Sequence, residues 1–145
     1  MFNESIIIEQ LQRKHIERVI LLFQNMSVYL PPKDSYDDIW ESFINQHNVH
    51  AVVATENGEV VGYGVVVIET KIRGGKVGHI EDIISHTIKQ KMGIGKMIVN
   101  ALYEIAKTKQ CYKVTLQCKQ HNIPFYEKCD YKLCGTAMQR FIQYL

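Results

Sequence analysis

Hydrophobic positions change their period several times along this chain. Residues 5–11 carry the run Ile6-Ile7-Ile8 and predict a first strand. Over 15–26, Ile16, Val19, Ile20, Phe23 and Met26 recur at helical spacing, and Pro31-Pro32 ends that element. Ser35 and Asp38 read as a capping box before a second helix whose face is Tyr36, Ile39, Trp40, Phe43 and Ile44. These aromatics suit a core better than a ligand cage. Two β-branched runs, 50–55 and 59–69, flank Asn57-Gly58, a strong hairpin signal. Arg73-Gly74-Gly75-Lys76 turns the chain again into a strand over 77–85. The pattern then changes. Residues 90–95 lead into a helix with inner face Ile94, Ile98, Ala101, Leu102 and Ile105. A strand over 113–118, a short helix over 123–129 and a last strand over 134–144 complete the chain. A meander joined to a β-α-β unit predicts an α/β fold, a mixed and mostly antiparallel central sheet flanked by helices on both faces.

Composition narrows the functional classes. The chain has 145 residues, 46% of them hydrophobic, which suits a single domain over 1–145 with its own core. The net charge of +2 argues against a sequence-blind nucleic-acid binder, which needs a concentrated basic face. No apolar run is long enough to span a membrane, and residues 1–4 do not begin a signal peptide, so a cytoplasmic location is expected. Cys111, Cys118, Cys129 and Cys134 form no Cys-x-x-Cys pair. Cys118 and His121 have a ligand-like spacing for zinc, but the other cysteines fall on different elements, and reduced structural thiols without a metal are the expectation.

The stretch Gln90-Lys91-Met92-Gly93-Ile94-Gly95 follows a strand and opens a helix. The first N–H groups of a helix lack internal partners, and the helix dipole adds positive potential. Glycines would let a pyrophosphate approach that backbone, with Lys91 and Lys96 beside it. On spacing alone a second reading stands level with this one: glycines that ease packing at a helix start. The dinucleotide fingerprint and the Walker ending are both absent.

Gln90-x-x-Gly93-x-Gly95 at this junction resembles the coenzyme A pyrophosphate motif of the GNAT N-acetyltransferase superfamily. Within it the chain resembles the glucosamine-6-phosphate N-acetyltransferase family, through Gly78-His79-Ile80-Glu81-Asp82-Ile83-Ile84, Cys111-Tyr112-Lys113-Val114-Thr115-Leu116, Asn122-Ile123-Pro124-Phe125-Tyr126-Glu127-Lys128-Cys129 and Met138-Gln139-Arg140-Phe141. The resemblance implies the GNAT fold, acetyl-CoA as cosubstrate, and transfer of its acetyl group to the amine of D-glucosamine 6-phosphate by direct attack, a step toward UDP-N-acetylglucosamine. It also implies a homodimer with exchanged C-terminal strands, each active site borrowing residues from the partner.

The same resemblance distributes roles. Tyr126 would protonate or hydrogen-bond the departing thiolate, as a phenol of pKa about 10 can for a thiol of about 8.5. Glu81 and Asp82 would hold sugar hydroxyls and the amine. Adjacent strand residues face opposite ways, so the resemblance implies a distortion there. Backbone N–H groups of Ile83 and Ile84 would meet the acetyl carbonyl and the pantetheine arm, which Asn122 could also bond. Gln90, Lys91, Met92, Gly93, Ile94, Gly95 and Lys96 would cradle the pyrophosphate. Arg140 is the leading phosphate ligand, with Lys113, Lys71 and Arg73 behind it, and Ser27 lies where the family has a substrate-contacting loop. Nothing in the sequence singles out His79, His86 or His121.

Departures from the family pattern bear on the acceptor. Gln117 stands where an acid is usual, and an amide cannot take a proton. Asp130 replaces a glycine, which suggests a turn of positive φ. Lys91 replaces another glycine, and the loop between Glu69 and Glu81 is about two residues short. Three alternatives follow: an acetyltransferase for another small amine, a coenzyme A-binding protein without turnover, and a domain that binds a partner through Trp40.

Overall fold

The computed structural model of the chain describes residues 5–26, 29–86 and 93–143. Its core is a five-stranded sheet in the order β1-β2-β3-β4-β5. These strands are β1 (Ile6–Gln10), β2 (Val49–Glu56), β3 (Glu59–Thr70), β4 (Lys76–Ser85) and β5 (Lys113–Leu116). The first four pair antiparallel, and β5 lies parallel to β4. The hairpin at Asn57-Gly58 forms with φ of 51° and 83°, the left-handed pair that a two-residue turn between twisted strands demands.

Helices cover both faces. On one lies α3 (Ile94–Thr108), and on the other α1 (Ile16–Leu22) and α2 (Tyr36–Ile44). A short α4 (Ile123–Glu127) follows β5. The α3 face carries Ile94, Ile98 and Leu102, all fully buried, each stabilising the fold by about 1.5–3 kcal/mol. Val99 and Ala106 are also fully buried, while Ala101 and Ile105 sit at the margin. The helix approaches the sheet so closely because β3 offers glycines beneath it. A Cβ at Gly62 would meet Ile98 Cδ1 at 2.6 Å, and one at Gly64 would meet Ile98 Cγ2 at 2.5 Å.

Three local expectations need correction. The helical run over 15–26 is broken into a 3-10 turn at Arg13–His15, α1, and a second 3-10 turn at Phe23–Asn25. Ser35 makes no capping box, because its hydroxyl donates to the Pro32 carbonyl at 2.6 Å. The strand expected over 134–144 is absent among the described residues, which stop at 143 and lie exposed in irregular conformation. A strand is defined by a neighbour's N–H and C=O groups, and a single chain places none beside it.

Replacing Gly64 by alanine is expected to lower stability by about 1–3 kcal/mol, since Ile98, Ile83 and Leu102 must all shift for the added methyl. The midpoint of urea unfolding checks this.

Candidate active site

The register of β3 and β4 slips where the candidate acids lie. Val65 pairs with Glu81, yet Tyr63 pairs with Ile84, so Asp82 and Ile83 together oppose Gly64. This is a β-bulge, and its extra residue, Asp82, has φ of +53°. The packing shows the shift. Ile80 and Ile83 both belong to the α3 side, three residues apart rather than two, and Ile84 joins the opposite core. Glu81 points to the α1 and α2 side by alternation. Asp82 lies close enough to Tyr63, on that same side, for its charge to add to burial in raising the phenol's pKa. The two neighbouring acids therefore serve one face. Asp82 keeps a solvent-facing edge, but the protein around it penalises its charge and raises its own pKa.

Beside the bulge the sheet opens. Pairing of β4 with β5 ends at Ile80 and Leu116, although β4 continues to Ser85. Gln117 follows immediately on the β5 side, exposed. The N-terminus of α3 begins at Gly93, which has φ of +79° and open space where a side chain would be. Gly95 has a different reason. A Cβ there would meet the Phe125 ring at 3.3 Å, so its lack of a side chain seats α4 against α3. Gly95 thus permits close packing, while Gly93 supplies the left-handed turn that opens α3. Ile94 is buried beneath, and Lys96 is exposed.

Tyr126 sits on α4, half-buried, edge-on to Phe125 at 4.9 Å and to Tyr131 at 6.2 Å between centroids. Burial first, then nearby Cys118 and Cys129, raises its pKa and keeps the phenol protonated. Burial similarly pushes Tyr131 up to about 12, and its buried hydroxyl has no hydrogen-bond partner among the described residues. Asp130 takes φ of +70° in the turn after α4, as expected where the family has glycine. Asn122, at the N-terminal edge of α4, is exposed.

Three of the expected phosphate ligands meet at the other end of β4 and β5. Arg73 Nη2 donates to Tyr112 Oη at 3.2 Å, Lys113 Nζ stands 5.7 Å from the Tyr112 ring centroid, and Lys71 Nζ is 3.0 Å from Glu69 Oε1. The Arg73 hydrogen bond, with the charges of Arg73, Lys113 and Lys71, lowers the Tyr112 pKa. Tyr112 itself escaped the sequence reading, and only the folded turn at 71–75 shows it as the hub. Arg140 is exposed, in the irregular C-terminal segment. Ser27, Gln90, Lys91 and Met92 lie outside the described residues. Among the described residues the four cysteines are free, and no cluster of three or more His, Cys, Asp or Glu could hold a metal ion.

Residues 9–131 match the model of the acetyltransferase (GNAT) family. The chain belongs to that family. Its sequence is 39% identical over 101 residues to the glucosamine 6-phosphate N-acetyltransferase of Candida albicans, covering 68% of this chain and 67% of that protein. Glucosamine 6-phosphate N-acetyltransferase 1 of rice is 30% identical over 136 residues, covering 89% of this chain and 82% of its own. The crystal structure of glucosamine-6-phosphate N-acetyltransferase from Arabidopsis thaliana superposes with a TM-score of 0.90 at 28% identity, over 97% of this chain and 100% of that one. GNAT acetyltransferases use acetyl-CoA as cosubstrate, and this chain is an acetyl-CoA-dependent N-acetyltransferase.

The raised pKa of Asp82 has a testable sign. Its contribution to folding is fully present below the ordinary carboxylate pKa and is lost as pH rises through the folded value. Asp82→Asn escapes that loss and tolerates the left-handed backbone. Its Tm is expected to exceed the wild type's at pH 7 and to match it near pH 3, as read by thermal melts at both pH values.

Proposed function

We propose that this enzyme transfers the acetyl group of acetyl-CoA to the amine of D-glucosamine 6-phosphate, by direct attack of the neutral amine. The β4 bulge carries the reading: it sets Glu81 and Asp82 on one face at the point where β4 and β5 part. The family's relatives supply the acceptor.

The residues fit the coenzyme. Gly93 leaves the first N–H groups of α3 open to a pyrophosphate, with Gly95 and Lys96 following. Past Ile80 and Leu116 the described part of β4 has no β5 neighbour, and on that open edge a backbone N–H of the bulge can polarise the acetyl carbonyl while neighbouring groups hold the pantetheine arm with Asn122. When bound, acetyl-CoA supplies the activated acyl group. Tyr126, kept protonated, donates to the departing thiolate. Glu81 and Asp82 hold the sugar hydroxyls and orient the amine, which Gln117 can accept a hydrogen bond from. Lys113, Lys71 and Arg73 supply positive charge for the phosphate. Their end of the β4–β5 pair is three residues from the bulge end, about 10 Å along a strand. That suits a phosphorylated monosaccharide lying along the strands.

Arg140 completes the phosphate site from a second copy in this reading. Residues 132–143 are exposed throughout, with Leu133, Met138 and Ile142 at 74%, 95% and 102%. The outer edge of β5 is also unpaired among the described strands. A homodimer that exchanges these C-terminal segments would cover both.

Thiol release from acetyl-CoA should require glucosamine 6-phosphate, with plain glucosamine and glucose 6-phosphate giving little. Tyr126→Phe should then lose most of that turnover. Binding of coenzyme A without thiol release from this sugar would reject the acceptor and turn attention to other small amines.

The exchanged dimer has its own check. Mixing inactive Tyr126→Phe and Arg140→Ala chains through unfolding and refolding should restore about a quarter of wild-type activity, because each mixed dimer regains one intact site. No recovery would mean that both residues act within one chain.

A further inference from the structure

A chain of hydrogen bonds crosses three strands on the face that carries Glu81. Thr115 Oγ1 lies 3.0 Å from His79 Nδ1, and His79 Nε2 lies 2.8 Å from Glu69 Oε1. Lys71 Nζ reaches the same carboxylate oxygen at 3.0 Å. The register explains the alignment. His79 is paired with Thr115 on β5 and with Val67 on β3, and Glu69 is two residues from Val67 on the same face.

The protons can be placed by exclusion. The hydrogen bond from His79, then that from Lys71, holds Glu69 below the usual carboxylate range, so it is ionised and only accepts. His79 Nε2 therefore carries the hydrogen. In a neutral imidazole Nδ1 is then the acceptor, and it takes the Thr115 hydroxyl proton. Thr115 Oγ1 keeps lone pairs for an incoming N–H or water. A hydroxyl, an imidazole and a carboxylate stand in sequence, as in sites that move a proton away from a reacting group.

The position of this row gives it a task. Gln117 is two residues beyond Thr115, and Glu81 two beyond His79, each a step of about 6.6 Å along a strand, which the reach of a side chain and a bridging water together can cover. Gln117 can orient an amine but cannot accept its proton. The charged groups facing His79 are Glu69 and Lys71 from the β3 side, Glu81 on its own strand and Lys113 on β5.

We propose that Thr115, His79 and Glu69 form the proton relay that deprotonates the acceptor amine in this enzyme, doing what an acid at position 117 would do. The proposal rests on the reading of the chain as an amine acetyltransferase. The acceptor's ammonium gives a proton through a water to Thr115 Oγ1, whose own proton passes to His79 Nδ1. The amine is left neutral with a free electron pair. The imidazolium keeps its Nε2–H on Glu69 and later returns the added proton to solvent.

Two variants cut the relay at different points: Thr115→Val and His79→Gln. With glucosamine 6-phosphate, each should lower kcat about 10- to 100-fold at pH 6.5 and much less at pH 9, where free amine is abundant. The KM for acetyl-CoA should stay unchanged. Gln117→Glu added to His79→Gln should recover most of the lost rate at pH 6.5. A loss of equal size at both pH values without recovery in the double variant, or no loss at all, overturns the relay. Should the wild type release no thiol with this sugar, the acceptor assignment fails, and the relay is then read from the ring itself. A 15N NMR spectrum showing hydrogen on His79 Nε2 supports it, and hydrogen on Nδ1 overturns it.

Discussion

The close seating of α3 on β3 governs the rest of the molecule. Gly62 and Gly64 remove the side chains that would hold the helix away, and Ile94, Ile98 and Leu102 fill the space. The helix axis is thereby fixed relative to the sheet, and its N-terminus at Gly93 comes to rest beside the strands that carry the acids. Phe125 against Gly95 extends the same contact to α4 and so places Tyr126. Apolar contacts at dispersion distance thus fix the relative positions of the groups assigned to donor, leaving group and acceptor, and dense interiors hold such positions without drift.

The two sides of the sheet divide the labour. The α3 side is dry and apolar, and it holds the structure. Near β4 and β5 the opposite side lies beyond α1 and α2, and it collects Glu69, Lys71, His79, Glu81, Lys113 and Thr115 through strand alternation. Parallel pairing of β4 with β5 ends early, so past Ile80 the described part of β4 is paired with β3 alone. A polar surface next to an open strand edge suits a reaction in which charge must be redistributed between two bound molecules.

Much of the fold was legible because local chemistry and global pairing agree. Asn57-Gly58 dictates its hairpin, the β-branched runs flank it, and the 3.6-residue spacing of Ile94, Ile98 and Leu102 selects the packed face of α3. Where a residue had two local options, pattern reading failed: the Ser35 hydroxyl found the Pro32 carbonyl instead of a helix N–H. The stretch beyond Cys134 has a strand-like composition, but composition cannot supply the neighbour that a strand needs. The site was legible as a set of residues and not as an arrangement. Glu81 and Asp82 stood out by resemblance, which also implied a distortion of their strand, whereas the form of the bulge depends on register with β3. The pairing of His79 with Thr115 and Glu69 also depends on register across three strands, and no single segment announces it.

The bulge also limits how this protein can change over evolutionary time. Deleting Ile83 would bring β4 back into step with β3, with Glu81 still opposite Val65, Asp82 opposite Gly64 and Ile84 still opposite Tyr63. That one event would turn the two carboxylates to opposite sides, sending Asp82 toward the apolar α3 face while Ile84 kept its place beside Tyr63. Chemistry and folding are coupled there through the count of residues alone. The length of β4 at the bulge is therefore closed to gradual trial by the lineage.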